Sequence, residues 1–294
     1  MKHYSLEKKL KLFGWLFVAP ASLLIIVLSF YPMIYSFILS LQSGVANNLH
    51  FTGLRNYVRL FKDANFKTSV VNVLIYLVIQ VPVMLVLALI LSTILNQKDL
   101  KLKGVFRTLV FLPCVTSLVS SALVFKSLFA LDGFVNRFCL WLGVLNEPIN
   151  FLMDPFWAKA AIIIVITWRW TGYNTIFYLA GLQNLDDSIF EAAVVDGASP
   201  TYQFFHITVP LLRPVILLTA IMSTNGTLQI FDEVKNLTNG GPGMATLSIS
   251  QYIYNLSFRL NPQFGYAAAV SWAILFMVAI LSFVQMQIGD KDSD

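Results

Sequence analysis

Arg169 stands inside an otherwise uncharged run from Ala160 to Gln183. An arginine at the centre of a membrane helix costs about 2.5–3.5 kcal/mol on insertion scales, so it faces protein or water rather than lipid. Trp168, Trp170, Tyr173 and Asn174 crowd around it, a high density of ring faces and hydrogen-bonding groups for a lipid-facing helix. Tryptophan is also common at membrane interfaces, which is the competing use of each indole. A second polar series, Ser223, Asn225, Thr227 and Gln229, precedes Phe231 and Asp232. Helical geometry sorts it into two i, i+4 pairs, Ser223 with Thr227 and Asn225 with Gln229, on different faces. One pair is expected to line a path and the other to meet another subunit. Asp232 or Glu233 could instead neutralise Arg169, which would make that arginine structural.

Bond-making chemistry finds no support. The three histidines, His3, His50 and His206, assemble no Ser/His/Asp set, and Cys114 and Cys139 make neither a disulfide framework nor a metal knuckle. A phosphate-cradling Gly-x-x-x-x-Gly-Lys-Ser/Thr segment is missing, and the run from Asn239 to Gly243 lacks the lysine that would follow.

The elements that position these residues follow from composition. Of 294 residues 57% are hydrophobic and 12% charged. Soluble domains carry about 25% charge, so this chain cannot cover a water-facing surface and has a bilayer as solvent. The net charge of +5 fits membrane topology better than nucleic acid, because the basic residues sit beside apolar runs. Six runs emerge, Leu12–Leu41, Ser69–Leu95, Thr108–Phe125, Ala160–Gln183, Pro214–Phe231 and Gly265–Gln287. Strands of a membrane barrel alternate, whereas Val70 to Leu91 is apolar on every side, which predicts helices. The expected fold is therefore an all-α integral membrane protein with six transmembrane helices. It divides into a tail (1–11), a membrane domain (12–289) and a C-terminal tail (290–294). Ala19-Pro20-Ala21 mimics a signal cleavage site, but the apolar run continues beyond the ~7–15 residues of a signal core, which predicts an uncleaved anchor.

Lys2, Lys8, Lys9, Lys11, Lys98, Lys101, Lys103 and Arg107 cluster in the N-terminal tail and second loop. Positive residues mark the cytoplasmic side, so both termini are predicted to be cytoplasmic. The loop 184–208 is assigned inside yet has no Lys or Arg; counting it leaves the inner density about twice the outer. Prolines 20, 32, 82, 113 and 214 lie in or at the ends of the spans, where neighbouring helices satisfy the freed backbone groups. Outside, Leu54, Tyr57, Val58 and Phe61 share a helical face opposite Arg55, Arg59 and Lys62, the pattern of a short interfacial helix.

The stretch from Glu191 to Pro214 is the most informative. Asp186 and Asp187 favour a helix N-terminus, Glu191-Ala-Ala-Val-Val is helical, and Gly197 permits the turn that ends it. A second short helix, Pro200 to Ile207, is expected to place Tyr202, Phe205 and Ile207 near one face. Two short helices with small residues at their turn make a knob suited to a partner's groove, or simply a helical loop.

This segment resembles the cytoplasmic loop of permease subunits in binding-protein-dependent ABC importers. Glu191, Ala192, Ala193, Gly197, Ile207 and Pro210 match in register; Val209 replaces the usual Leu. Phe51–Tyr57, Arg107–Pro113, Ala180–Gln183, Leu237–Pro242 and Gly265–Ala269 are similar to the carbohydrate branch, in particular to the larger maltose-type permease subunit, without its extra N-terminal spans and periplasmic insertion. The resemblance implies that the loop 184–210 docks into a cleft of an ATPase subunit through Glu191, Ala192, Ala193, Asp196, Gly197, Ala198, Ile207 and Pro210. It implies a second permease subunit, two ATPase subunits that bind ATP and Mg, and an extracytoplasmic sugar-binding protein. This chain would bind no cofactor, metal or nucleic acid. The substrate path would use Arg169, Trp170, Tyr173, Asn174, Ser223, Asn225, Thr227 and Gln229, with Tyr173 favoured by its register with a sugar-contacting position of the maltose-type subunit. The cargo would be a di- or oligosaccharide or a glycoside, crossing the cytoplasmic membrane of a bacterium. Alternatives are a permease for glycerol 3-phosphate or another small polar solute, and a secondary transporter; the latter predicts acidic intramembrane relays or inverted repeats, which are not visible.

Overall fold

The computed structural model describes residues 6–46, 48–97, 99–259 and 261–290. Lys2, His3 and Lys98, and the C-terminal tail from residue 291, lie outside the described residues. The chain forms two compact units, one built from the segment up to Lys62 with Ile253–Trp272, the other from Asp63–Tyr252 with the segment from Ala273 onward.

In the first unit, α1 (Leu6–Ile25), a wider π-helical turn (Ile26–Phe30) and α2 (Tyr31–Ser40) follow one another. From Lys8 to Ser40 they give 33 residues apolar enough to cross a membrane. An antiparallel hairpin follows, β1 (Gln42–Val45) pairing with β2 (Asn48–Phe51), with Gln42 opposite Phe51. The hairpin is a small β element that periodicity did not predict. The expected short helix is present after the hairpin as α3 (Arg55–Leu60). Buried Asn56 fixes it to the hairpin, its amide donating to the carbonyls of Ser40 at 2.8 Å and Gln42 at 2.7 Å.

The second unit opens with α4 (Ala64–Asn96), capped by the Asp63 carboxylate, which accepts from the backbone N–H of Asn65 and Phe66. Next come α5 (Lys103–Val115), α6 (Leu118–Leu128), α7 (Phe134–Trp141) and α8 (Pro155–Gln183). Then α9 (Asp187–Val195), α10 (Pro200–Gln203), a π-helical turn (Phe204–Thr208), α11 (Val209–Leu211), α12 (Arg213–Leu228) and α13 (Asp232–Leu237) follow. The chain closes with α14 (Ile249–Tyr254) and α15 (Phe264–Asp290).

Each predicted apolar run is largely helical, but the third is broken and the fifth is entered through a bend. The third breaks between α5 and α6 with a bend of 102°, and the helices Pro200–Leu211 and Arg213–Leu228 meet at 70°. The cause is local. Pro113 lacks the N–H for one helical bond, and Thr116 and Ser117 are extended, with the Thr116 hydroxyl donating to the Pro113 carbonyl at 2.9 Å. Pro210 and Pro214 flank the second bend. The predicted helix from Pro200 to Ile207 likewise ends at Gln203 and continues as the π turn. Among the described residues three helices are apolar and long enough to cross a membrane, and counting each bent pair as one span gives up to five. α8, with Arg169 in its middle, is less apolar than these, but its 29 residues at about 1.5 Å each are long enough to cross a ~30 Å hydrocarbon core as the expected sixth span.

Lipid offers no hydrophobic drive between helices, so close packing and hydrogen bonds hold them. Tyr178 and Thr219 join hydroxyls at 2.7 Å between α8 and α12, and Thr227 donates to Gln80 of α4 at 3.0 Å. At Gly172 the α5 backbone comes so near that a Cβ would lie 2.2 Å from the Val110 carbonyl oxygen. Ala88, Leu89, Tyr178, Leu182 and Leu212 form a buried cluster tying α4, α8 and the start of α12 together.

Candidate functional site

A cavity of about 440 Å³ opens in the second unit where α8 faces the α5/α6 break and the end of α12. Arg169, Trp170 and Tyr173 come from α8; Gly226, Thr227 and Gln229 come from the end of α12; Asp232 and Glu233 come from the start of α13. Helical spacing explains the first group, because residues 166, 169, 170 and 173 recur on one face. Trp170 meets Tyr173 edge-on with centroids 5.5 Å apart, and Tyr173 meets Phe177 at 5.1 Å. The Arg169 guanidinium donates to the Thr116 carbonyl at 3.0 Å, at the C-terminal end of α5. Its bonded partner is thus a helix-end carbonyl, while Asp232 and the buried Glu233 stand in the wall of the same cavity.

The remaining path residues divide. Asn174 and Ser223 are buried against each other between α8 and α12, at 3.4 Å, with Asn174 also donating to the Trp170 carbonyl at 2.9 Å; neither lines the cavity. Gln229 and Asn225 are exposed and bonded to one another. The i, i+4 pairs therefore do not act as units: Thr227 from one and Gln229 from the other reach the cavity. Nothing in the sequence marked Cys114 and Leu118 for the wall, nor Gln80 as the partner of Thr227. The local cue in the sequence is Pro113 inside the third run, since contacts between residues more than fifty positions apart carry no periodic signature.

The other end of interest is the loop 184–210. The Asp186 side chain caps α9, accepting from Ser188 N–H at 3.0 Å, and this bond holds its carboxyl below the ordinary value of 3.8. At the far end the Gly197 N–H bonds to the Val194 carbonyl and the Ala198 N–H to the Ala193 carbonyl, a Schellman closure. It requires a left-handed residue, and Gly197 has φ +79°. Nothing lies near its missing Cβ. Glu191, Ala192, Asp196 and Gly197 are exposed, together with Val194 and Val195, whereas Ala193 is buried and Ala198 and Ile207 are half-buried; Pro210 is exposed. Beneath α9 a cavity of about 490 Å³ is lined by Glu191, Phe190 and Val194 with residues of α4 and the second short helix. Phe204 packs on the Tyr178 and Leu182 cluster, so the loop is mechanically joined to α4 and α8.

An apolar helical bundle with a polar cavity at one place and a capped, exposed helix on a loop at another is the architecture of a membrane transport subunit. The chain belongs to the family described as binding-protein-dependent transport system inner membrane component, matched over residues 66–290. It is 54% identical over 283 residues to the lactose transport system permease protein LacF of Rhizobium radiobacter, covering 96% of this chain and 95% of that protein. It is 35% identical over 281 residues to the trehalose/maltose transport system permease protein MalF of Thermococcus litoralis, with 94% and 93% covered. A crystal structure of a bacterial ABC transporter involved in the import of the acidic polysaccharide alginate contains a chain of the same fold, with a TM-score of 0.85, 22% identity and 98% of both chains covered.

Proposed function

We propose that this chain translocates a neutral sugar, a di- or oligosaccharide or a glycoside, as one of two permease subunits of an ATP-driven importer in the cytoplasmic membrane. The observation that carries the reading is the cavity around Arg169. Its 440 Å³ falls within the ~300–1,000 Å³ range of small-molecule sites. Trp170 and Tyr173 offer ring faces, and Arg169, Thr227, Gln229, Asp232 and Glu233 offer donors and acceptors for hydroxyl groups. Two carboxylates beside one arginine repel an anion, which argues against glycerol 3-phosphate. Relatives named for lactose and for trehalose and maltose transport support the same cargo class.

In this reading the membrane domain is 12–289, both termini are cytoplasmic, and the loop 184–210 seats Glu191 to Ala198 in a cleft of an ATPase subunit, with Ile207 and Pro210 fixing the second short helix. Two ATPase subunits bind ATP and Mg, and a loaded extracytoplasmic binding protein delivers the sugar. Closure of the ATPase pair would reach the cavity through Phe204 and the Tyr178 cluster. The test is uptake of radiolabelled lactose and other neutral disaccharides by cells expressing the chain with its partner subunits. Saturable, ATP-dependent uptake competed by disaccharides and not by glycerol 3-phosphate is expected. Uptake competed only by the phosphorylated solute, or uptake independent of the ATPase, overturns the assignment.

A further inference from the structure

The segment between the first membrane helix and α4 carries a charge pattern that transport of a neutral sugar does not use. From Leu41 to Lys62 the sequence holds three lysines and arginines and no Asp or Glu. These three cations, Arg55, Arg59 and Lys62, follow one another at i, i+4 and i+7 and line a cavity of about 600 Å³ beside the β1–β2 hairpin. Beside this stripe runs a second one at the same spacing, Leu54, Val58 and Phe61, exposed by 67%, 56% and 80%. The helix cannot roll to hide it. Buried Asn56 holds α3 to the hairpin, the Tyr57 hydroxyl bonds to Ser40 at 2.7 Å, and Leu60 is buried.

We propose that this face of α3 is a binding site for an anionic phospholipid, with the headgroup phosphate on the cationic stripe and the acyl chains along Leu54, Val58 and Phe61. Charge complementarity carries the choice of headgroup. Among the described residues the side chains of Arg55 and Lys62 have no hydrogen-bond or ion-pair partner. Arg59 is pre-set, its guanidinium 3.8 Å from the Tyr266 ring centroid and donating from one nitrogen to Gln263 at 2.7 Å, which leaves other N–H groups for a phosphate. Asp63, the next residue, has its carboxylate engaged in capping α4. The apolar stripe carries the choice of lipid over free phosphate or an acidic protein surface. A surface-lying helix with cations beside exposed apolar residues buries the latter at the headgroup boundary, and this chain is necessarily surrounded by such a boundary.

The test places the photo-crosslinking residue p-benzoylphenylalanine at Val58 of the full-length chain, in bilayers of phosphatidylglycerol and phosphatidylcholine, with captured adducts identified by mass spectrometry. Phosphatidylglycerol is expected to be enriched over its bulk ratio. The R55Q and K62Q substitutions are each expected to lower that enrichment about fivefold, the effect of one cation near an anionic surface. Millimolar inorganic phosphate should leave it unchanged. Adducts that follow the bulk ratio, enrichment insensitive to both substitutions, loss of enrichment with inorganic phosphate, or capture of the extracytoplasmic binding protein in place of lipid would each overturn the proposal.

Discussion

Arg169 donates to the carbonyl of Thr116 at 3.0 Å, so the one charged residue in the depth of α8 is tied to the point where α5 ends and the chain turns through 102°. A cation at a helix C-terminus satisfies a carbonyl that has no partner in its own helix. The same side chain lines the cavity with Trp170, Tyr173 and Glu233. Arg169 thus joins the wall of the cavity to the bend that shapes it.

Replacing it separates the two roles. Arg169→Ala removes a charge-assisted hydrogen bond of about 1.5–3 kcal/mol, and it is expected to cut initial uptake at least tenfold while the chain still assembles with its partner subunits. Arg169→Lys keeps the charge but loses the fork, and should fall between. Uptake assays with parallel pull-down of the complex decide; normal uptake affinity together with poor assembly would show that the arginine is structural only.

Gly197 lies at φ +79° with open space around the missing Cβ. A side chain there strains the backbone by about 1–2 kcal/mol without meeting any atom of this chain. Gly197→Asp should therefore express normally yet abolish transport and reduce copurification of the ATPase, because the obstruction arises in the partner's cleft. Unchanged transport would remove the docking assignment of the loop.

Gly172 predicts the opposite phenotype. Its Cβ would sit 2.2 Å from the Val110 carbonyl oxygen, a backbone atom that has no room to withdraw. Gly172→Val should lower the amount of folded chain in the membrane severalfold, read by protease resistance and size-exclusion yield. A well-folded Gly172→Val protein would contradict the close packing of α5 on α8.

Cys114 lines the cavity, with its thiol 3.6 Å from the Arg169 carbonyl. A small thiol-directed reagent should modify it in the intact transporter, and transported sugar should protect it. Labelling of Cys114 that sugar does not slow would place the cargo elsewhere.

Asp186 gives a pH dependence. The Ser188 N–H lowers its carboxyl below 3.8 in the folded loop. The unfolded chain then binds more protons in that range, so the cap contributes fully above 3.8 and is lost as pH falls through the lower folded value. Hydrogen exchange in α9 should rise in acid below that point for the native chain, whereas Asp186→Asn, which keeps an acceptor without titrating, should show no such step. An identical acid profile for both would deny the cap its role.

The sequence by itself determined the solvent, the helices and the turn. Charge at 12% requires a bilayer, runs apolar on every side require helices, and Asp186 and Gly197 mark both ends of α9, because capping is a matter of adjacent backbone groups. The apolar and cationic stripes of α3 were legible in the same way, from i, i+4 spacing. Tertiary structure alone decided which polar groups meet. Asn174 and Ser223 look like path residues in sequence but satisfy each other between helices, while Thr227 takes Gln80 from a helix more than a hundred residues away. The physical reason is that a polar group in the membrane interior must find a hydrogen-bond partner, and any facing helix can supply one. The sequence fixes the need, and only the packing of α4, α8 and α12 decides whether a neighbour or a cargo meets it.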